Sequence, residues 1–468
     1  MAEVANRPKD CIICGGLTGS REHVFPSALG GRREDKKIYC SNHNQWMGPH
    51  VGVLQKQLEA INAMLEVQPD RGAVKAHVFE ADNGERYAIK GGDISPAPDL
   101  DAILDGYTLG EPHQLKIAPG DLPRLKERAK QRGLKLNIVE KASPVAECRV
   151  GHYRIPMMQG GDDAMRAVGY LALTFVAHLW PHVGRAPGLA AIKEMLRSGP
   201  IYAGPDAIAS PIPASGFVAW SPVLGAPSEL VHPTGLGHTI VLCLRAGQVL
   251  AYLSLLDLQC WTIRLGQAAP DTADRTVVVH VDPLKTRYGD DWTIHEFDHA
   301  LIGDQVGPDY LGQAVLQSGR MQQQVAAVMR RVIDRRDRLE AEQAQQEFEA
   351  VRGLSSPARE AAIRDFVALR RQRLVNHISM FAEHGNAGTQ MGAWVREGAI
   401  KATQPDPVST DGLNAAARLA LEDVVTQLSN TLTQAPADFV LDPERYLWLF
   451  GDMGQALISI ALAKEFHR

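Results

Sequence analysis

Residues 11–44 read CIICGGLTGSREHVFPSALGGRREDKKIYCSNHN, and the metal-binding residue types in this stretch fall into two pairs. Cys11 and Cys14 form a C-x2-C knuckle, and Cys40 and His43 form a C-x2-H knuckle, with twenty-five residues between them. Three thiols and an imidazole at this spacing are the donor set of a tetrahedral zinc. On spacing alone, the pattern is that of a structural zinc ribbon.

The surrounding chain sets the frame for that site. Its 468 residues are enough for roughly three domains. With 45% hydrophobic and 22% charged residues, the composition is that of a folded protein and not of a disordered one. Lys and Arg number 49 against 54 Asp and Glu, a formal charge of -5, so the chain as a whole is not built to coat a polyanion and any such site must be local. Of six cysteines, three lie in the knuckles, while Cys148, Cys243 and Cys260 sit in apolar segments and are expected as core thiols. Sparse cysteines clustered beside histidine point to metal binding in a reducing compartment. The first residues lack the pattern of a secretory signal, and the most apolar stretch, 167–180, is shorter than the roughly 20 residues a membrane span needs. A cytoplasmic protein with no membrane contact is expected.

Along the chain, Leu54, Leu58, Ile61 and Leu65 recur at helical steps and predict an amphipathic helix over 51–66. Alternation around Asn83-Gly84 predicts a hairpin. Helices are expected over 122–132, 164–180 and 188–198, with a strand from Leu134 to Val139. From Phe217 to Val281 short β-rich runs, among them HTIVLCLR and RTVVVHV, predict an antiparallel meander. From about Tyr310 the pattern becomes helical, with Gly303 to Pro308 as the joint. The expected class is α+β in three regions: 1–66, a mixed α+β region 67–305 and a mainly helical region 306–468.

The residues between the knuckles add chemistry. Glu22-His23 is followed by Val24-Phe25-Pro26 and Leu29-Gly30-Gly31, and Asn44 directly follows the second knuckle. Over about fifty residues this arrangement resembles the zinc-bound branch of the HNH endonuclease family, whose pattern reads EH-x-x-P-x-x-L-G-G followed by C-x2-C-N. The resemblance implies a zinc-pinned ββα-metal module in which a hairpin carries the Glu-His pair and a helix carries the Asn. It implies His23 as general base, and Glu22 and Asn44 as ligands of one divalent ion, magnesium or manganese, distinct from the zinc. Two positions depart from the pattern. His43 stands where this branch has a fourth cysteine, and Asp35 stands where many members have an Asn that orients the base, with His50 nearby as a candidate for the missing role.

Other features compete for a function. His295-Glu296-Phe297-Asp298-His299 matches H-E-x-x-H, which on a helix would place two zinc-binding histidines on one face with a glutamate to activate water. His178 and His182 flank a Trp-Pro break and are expected to serve packing and capping. Residues 320–375 hold twelve arginines, no lysine and eight acidic residues; Arg330, Arg331, Arg335, Arg336 and Arg338 cluster there and could track phosphates, but with Asp334, Asp337 and Glu340 beside them are expected on a solvated face. Met321, Val325, Val328 and Val332 form an apolar stripe that suits a partner helix or packs on the protein's own middle region.

The expected activity is metal-dependent endonucleolytic hydrolysis of DNA. A large body on a small HNH effector resembles, at the level of architecture alone, prokaryotic antiphage systems controlled by cyclic nucleotides or by a guide-loaded short Argonaute. The expected partners are therefore DNA and a regulatory protein or nucleotide signal, with homo-oligomerisation left open. The alternatives are a zinc metalloprotease built on His295 and His299, and a non-catalytic zinc-containing DNA-binding adaptor.

Overall fold

The computed structural model describes residues 9–70, 72–80, 86–91, 93–97, 99–105, 122–134, 160–221, 228–269, 272–286, 289–303, 318–384, 390–402, 415–436 and 438–466. The class is mixed α+β, with a Cys/His cluster near the N-terminus, an antiparallel sheet in the middle of the chain and a helical C-terminal region. Met1–Glu80, Gly84–Pro98 and Ile155–Ile333 form one compact unit, and Ala81–Asn83, Asp99–Arg154 and Asp334–Arg468 a second. In the first of these units Val24, Phe25, Leu54, Leu58 and Ile61 share one apolar core with Val168, Phe175, Ile240 and Leu253.

In the first unit, β1 (Glu22–His23) pairs antiparallel with β2 (Glu34–Asp35), Glu22 opposite Asp35 and His23 opposite Glu34. Because side chains alternate across a strand, Glu22 and Asp35 share one face while His23 and Glu34 share the other. The connection between the strands needs both of its glycines. Gly30 has φ +90°, and a Cβ there would lie 2.6 Å from the Cα of Pro283; a Cβ on Gly31 would lie 2.0 Å from the carbonyl oxygen of Phe25.

Helix α1 (Ser41–Met64) starts ten residues before the predicted 51 and runs through Pro49. The second knuckle forms its first turn, and His43, Met47, His50 and Leu54 continue one buried stripe at steps of four, three and four, so packing carries the helix past a residue with no N–H. Strands β3 (His77–Glu80), β4 (Arg86–Lys90) and β5 (Asp93–Pro96) make a three-stranded antiparallel sheet. The predicted hairpin strands do pair, while its Asn83-Gly84 turn, the strand predicted from Leu134 and Cys148 lie wholly or largely outside the described residues.

After α2 (Leu100–Asp105) and α3 (Leu122–Gln131), which belong to the second unit, the chain returns with α4 (Asp162–Leu179), α5 (Pro181–Gly184) and α6 (Ala190–Arg197). Every residue of α4 from Ala164 to Ala177 is buried, as an all-round apolar helix requires. Strands β6 (Val218–Trp220), β7 (His238–Arg245), β8 (Gln248–Leu255), β9 (Gln259–Gln267), β10 (Arg275–Val281) and β11 (Trp292–Phe297) form one antiparallel sheet in the order β11-β10-β7-β8-β9-β6. The predicted meander holds for β7, β8 and β9; β10 then crosses back to pair with β7. Seven of the eight β7 residues are buried because Ile240 and Leu242 face the main core and Val241 and Cys243 face a second cluster. Cys243 and Cys260 are buried free thiols, as expected.

Of the two readings of the apolar stripe, packing within the protein holds: Val328 and Val332, on the helix Ser318–Arg352, lie in the main core with Val325 packed against it. Arg331, expected on a solvated face, instead donates to the carbonyl of Gly235 and to the buried carboxylate of Asp257 at 3.1 and 3.2 Å. The second unit packs the helices Ser356–Ala368, Arg371–His384, Gln390–Ala402, Ala415–Thr433 and Gly454–Phe466 around Phe348, Phe366, Leu428 and Phe450. Its stretch Pro443–Lys464 is 22 residues long and apolar enough to cross a membrane by length and composition, but Tyr446, Phe450, Ile458 and Leu462 are buried in this core.

His238, at the start of β7, is fully buried, packs its ring against Phe25 and binds the carbonyl of Leu29 through Nε2 at 3.2 Å, tying the sheet to the β1–β2 connection. Burial, aided by the charge of His232, pushes its pKa down to about 3. The unfolded chain therefore binds this proton first, and the stability linked to it is intact above pH 6.5 and lost as the pH falls toward 3. At pH 5 the loss from His238 alone is about 2 kcal/mol. Urea unfolding of His238→Asn should show a smaller fall in stability between pH 7 and pH 5 than the wild type; equal falls contradict the assignment.

Candidate functional site

The four knuckle residues converge. One ligand atom from each of Cys11, Cys14, Cys40 and His43 lies within 4.8 Å of all the others. The Sγ of Cys11 and Cys40 stand 3.7 and 3.2 Å from His43 Nδ1, and the Sγ of Cys14 and Cys40 are 4.0 Å apart. Ligands on a tetrahedral zinc are separated by roughly 3.4–3.8 Å, so the cluster can hold one ion and its donors fit zinc. Local folding explains the geometry. The amide of Cys11 donates to Gly16 and that of Gly15 to Cys11, curling the first knuckle, while Cys40 caps α1 and His43 sits in its first turn. Burial disfavours the Cys11 thiolate, but the bond to His43 and backbone donors outweigh it and bring its pKa down to about 6.

With Nδ1 turned to the sulfurs, His43 Nε2 lies 3.2 Å from Asp206 Oδ2. Asp206 is held in turn by the Tyr202 hydroxyl at 2.6 Å and Arg197 at 3.2 Å, which outweigh partial burial and keep its carboxyl below the usual range. A carboxylate behind a ligating imidazole fixes the ring and strengthens its donor nitrogen. Asp206 was not singled out in the sequence because it lies 163 residues from His43.

The Glu-His pair is split between two faces. Glu22 is buried, and its Oε1 accepts a hydrogen bond from the Tyr170 hydroxyl on α4. Burial pushes the Glu22 carboxyl up to about 7, against the pull of that bond. Asp35, on the same face, accepts from the backbone of Lys37 and lies 2.7 Å from His178 Nδ1. Tyr39 bonds Thr174 at 3.0 Å. Tyr170, Thr174 and His178 thus form an i, i+4, i+8 polar stripe on an apolar helix that grips the hairpin, so His178 has a partner that a packing or capping role does not give it. Asn44 donates to Ser20 Oγ at 2.7 Å and to the carbonyl of Arg21 at 3.1 Å, bracing α1 against the approach to β1. His50 is fully buried, stacks on Tyr170 and has no protein hydrogen-bond partner at either nitrogen among the described residues; burial, with the charge of Arg166, pushes it down to about 4.

His23 faces the other way. Its Nε2 lies 3.5 Å from Asp70 Oδ2 and 3.9 Å from Glu34 Oε1. Ligand atoms of these three residues also lie within 4.8 Å of one another, a second group able to hold a metal, and it includes neither Glu22 nor Asp35. Arg21 and Arg32 flank it, 3.4 Å from Glu34 and 3.7 Å from Asp70. Glu34 and Asp70 escaped the sequence reading: Asp70 lies on the segment after α1, and only the strand register shows that Glu34 and not Asp35 accompanies His23.

H-E-x-x-H lies on β11, an edge strand, where His295 pairs with Val278 and the chain leaves the sheet before His299. Both histidines and Glu296 are exposed, and there is no helix to place the histidines on one face. The expected helical geometry of the motif is thereby overturned.

No protein-family model, curated protein or solved structure matches the chain. Elemental analysis should find about one zinc per chain, as one tetrahedral cluster requires. Asp206→Asn should lower zinc affinity by about 10–100-fold in chelator competition while leaving the saturating stoichiometry unchanged; wild-type affinity would remove the role given to Asp206.

Proposed function

We propose that this chain is a metal-dependent endonuclease of the HNH type that hydrolyses DNA phosphodiester bonds. In this reading β1, β2 and the first turns of α1, pinned by zinc at Cys11, Cys14, Cys40 and His43, are the ββα-metal module. The observation that carries it is the position of His23: an imidazole facing outward beside two carboxylates on a hairpin fixed at its back by α4 and flanked by Arg21 and Arg32. The steric need for Gly30 and Gly31 supports it as well, since both belong to the pattern on which the resemblance rests.

The chemistry suits these groups. In phosphodiester hydrolysis a water oxygen bonds to phosphorus as a P–O ester bond breaks, water gives up a proton, and the departing oxygen takes one from solvent. A divalent ion supplies charge neutralisation at the phosphate. Arginines at the rim can pair with flanking phosphates, which places the protein without reading sequence. Glu22 and Asn44, which the resemblance makes the ion's ligands, are engaged by Tyr170 and by Ser20 and Arg21, so on this reading they hold the hairpin in place.

The remainder of the chain is then a body that restrains or recruits the nuclease. Control by a regulatory protein or a nucleotide signal in antiphage defence is the setting that such an architecture supports. With Val328 and Val332 internal, the stripe they form does not serve as the docking surface.

His23→Ala should abolish cleavage of plasmid DNA in Mn2+ while leaving zinc content and unfolding profile unchanged. His295→Ala should cut at the wild-type rate. Wild-type cutting by His23→Ala would remove the HNH reading, and zinc-replete protein that binds DNA without cutting it under any activating condition would favour the adaptor.

A further inference from the structure

The nuclease reading requires a divalent ion near His23, and the two residues expected to hold it have other partners. We infer that the ion is held instead by His23, Glu34 and Asp70, with His23 Nε2 as a ligand and not as the base. This rests on the nuclease reading for its purpose, but not for its geometry.

Three observations carry it. First, the donor atoms converge: Nε2 of His23 stands 3.5 Å from Asp70 Oδ2 and 3.9 Å from Glu34 Oε1, and all three ligand atoms lie within 4.8 Å of one another. These separations are too long for well-formed hydrogen bonds. They exceed by less than about 1 Å the roughly 3.1 Å between adjacent ligands on an octahedral ion with bonds of about 2.2 Å. Second, although the His23 side chain is partly exposed, its Nε2 is closed off from solvent and has no hydrogen-bond partner among the described residues, while two carboxylates face it. A nitrogen buried in this way is costly unless something satisfies it, and a cation between it and the carboxylates satisfies all three groups at once.

Third, the carboxylates are held in position from outside. Arg32, whose side chain is almost fully buried, donates to the carbonyl of Gln68 at 2.8 Å and pairs with Asp70 Oδ1 at 3.7 Å, while Ser27 Oγ accepts from the Asp70 amide at 2.9 Å. Arg21 takes Oε2 of Glu34 at 3.4 Å. In Asp70 the oxygen turned to His23 is therefore the one that does not face Arg32. One imidazole and two carboxylates make a borderline donor set suited to Mn2+, quite unlike the sulfur-rich zinc cluster. Water on such an ion is acidified, so the reading keeps its nucleophile without His23 as base.

The test uses the full-length, zinc-loaded protein and Mn2+ as probe, followed by electron paramagnetic resonance of free and bound Mn2+. One ion should bind, and its spin-echo modulation should carry an imidazole nitrogen coupling that His23→Gln removes. Asp70→Asn and Glu34→Gln, both isosteric, should each weaken binding by about tenfold or more with zinc content unchanged. Glu22→Gln and Asn44→Ala should leave Mn2+ affinity as it is. Wild-type affinity in both Asp70→Asn and Glu34→Gln, absence of the nitrogen coupling, or loss of binding only in Glu22→Gln and Asn44→Ala overturns the site. Cleavage is scored separately: Mn2+ bound as expected without cutting of DNA leaves the site standing and sinks the nuclease reading, whereas cutting without this Mn2+ pattern does the reverse.

Discussion

Tyr170, Thr174 and His178 are the only three polar side chains in the stretch of α4 from Gly169 to Leu179, and they lie one turn apart on a single face. Each meets a polar partner from the N-terminal segment: Glu22, Tyr39 and Asp35. In a helix otherwise wrapped in apolar side chains, a polar group left unpaired costs about 1–3 kcal/mol. The contacts at Glu22 and Asp35 therefore fix the register of the hairpin as well as its position. A slip of one residue would turn His23 and Glu34 toward α4 and send Glu22 and Asp35 outward. The outward polar group of His23, Glu34 and Asp70 is thus a consequence of what the inward face must satisfy.

The two candidate metal centres differ in chemistry because they are built from different material. The cluster at Cys11, Cys14, Cys40 and His43 joins a glycine-bearing knuckle to the first turn of α1, and His43 passes the constraint on to Asp206, Tyr202 and Arg197. Its sulfur donors and half-buried setting suit an ion that stays. The group at His23 has one nitrogen and two oxygens and lies where Arg21 and Arg32 approach. That arrangement suits an ion that must also meet a phosphate.

Much of this was legible from local pattern. Leu54, Leu58 and Ile61 gave the buried face of α1, the knuckles gave the zinc-type cluster, and the β-rich runs that begin with HTIVLCLR gave the antiparallel strands β7 to β9. What escaped was set by distance along the chain. The i, i+4, i+8 polar stripe of α4 is visible in sequence, but its meaning depends on Glu22 and Asp35, more than 140 residues away. The order of the sheet was hidden for a similar reason, since nothing in RTVVVHV says that it returns to β7. H-E-x-x-H misled because the match does not itself specify a helix, and the segment is an edge strand exposed from Thr293 to Glu296. The first ten residues of α1 escaped because they lie around the second knuckle, where the buried stripe through His50 outweighs the one hydrogen bond missing at Pro49.

The central claim is that the hairpin separates an inward structural face from an outward metal-bearing one. Anomalous diffraction from crystals of the full chain grown with zinc and soaked in Mn2+, recorded at both absorption edges, tests it directly. The account predicts a zinc peak among Cys11, Cys14, Cys40 and His43 and a separate manganese peak about 2.2 Å from His23 Nε2 and from oxygens of Glu34 and Asp70. A manganese peak bonded to Glu22 and Asn44, with His23 outside its coordination shell, would contradict it.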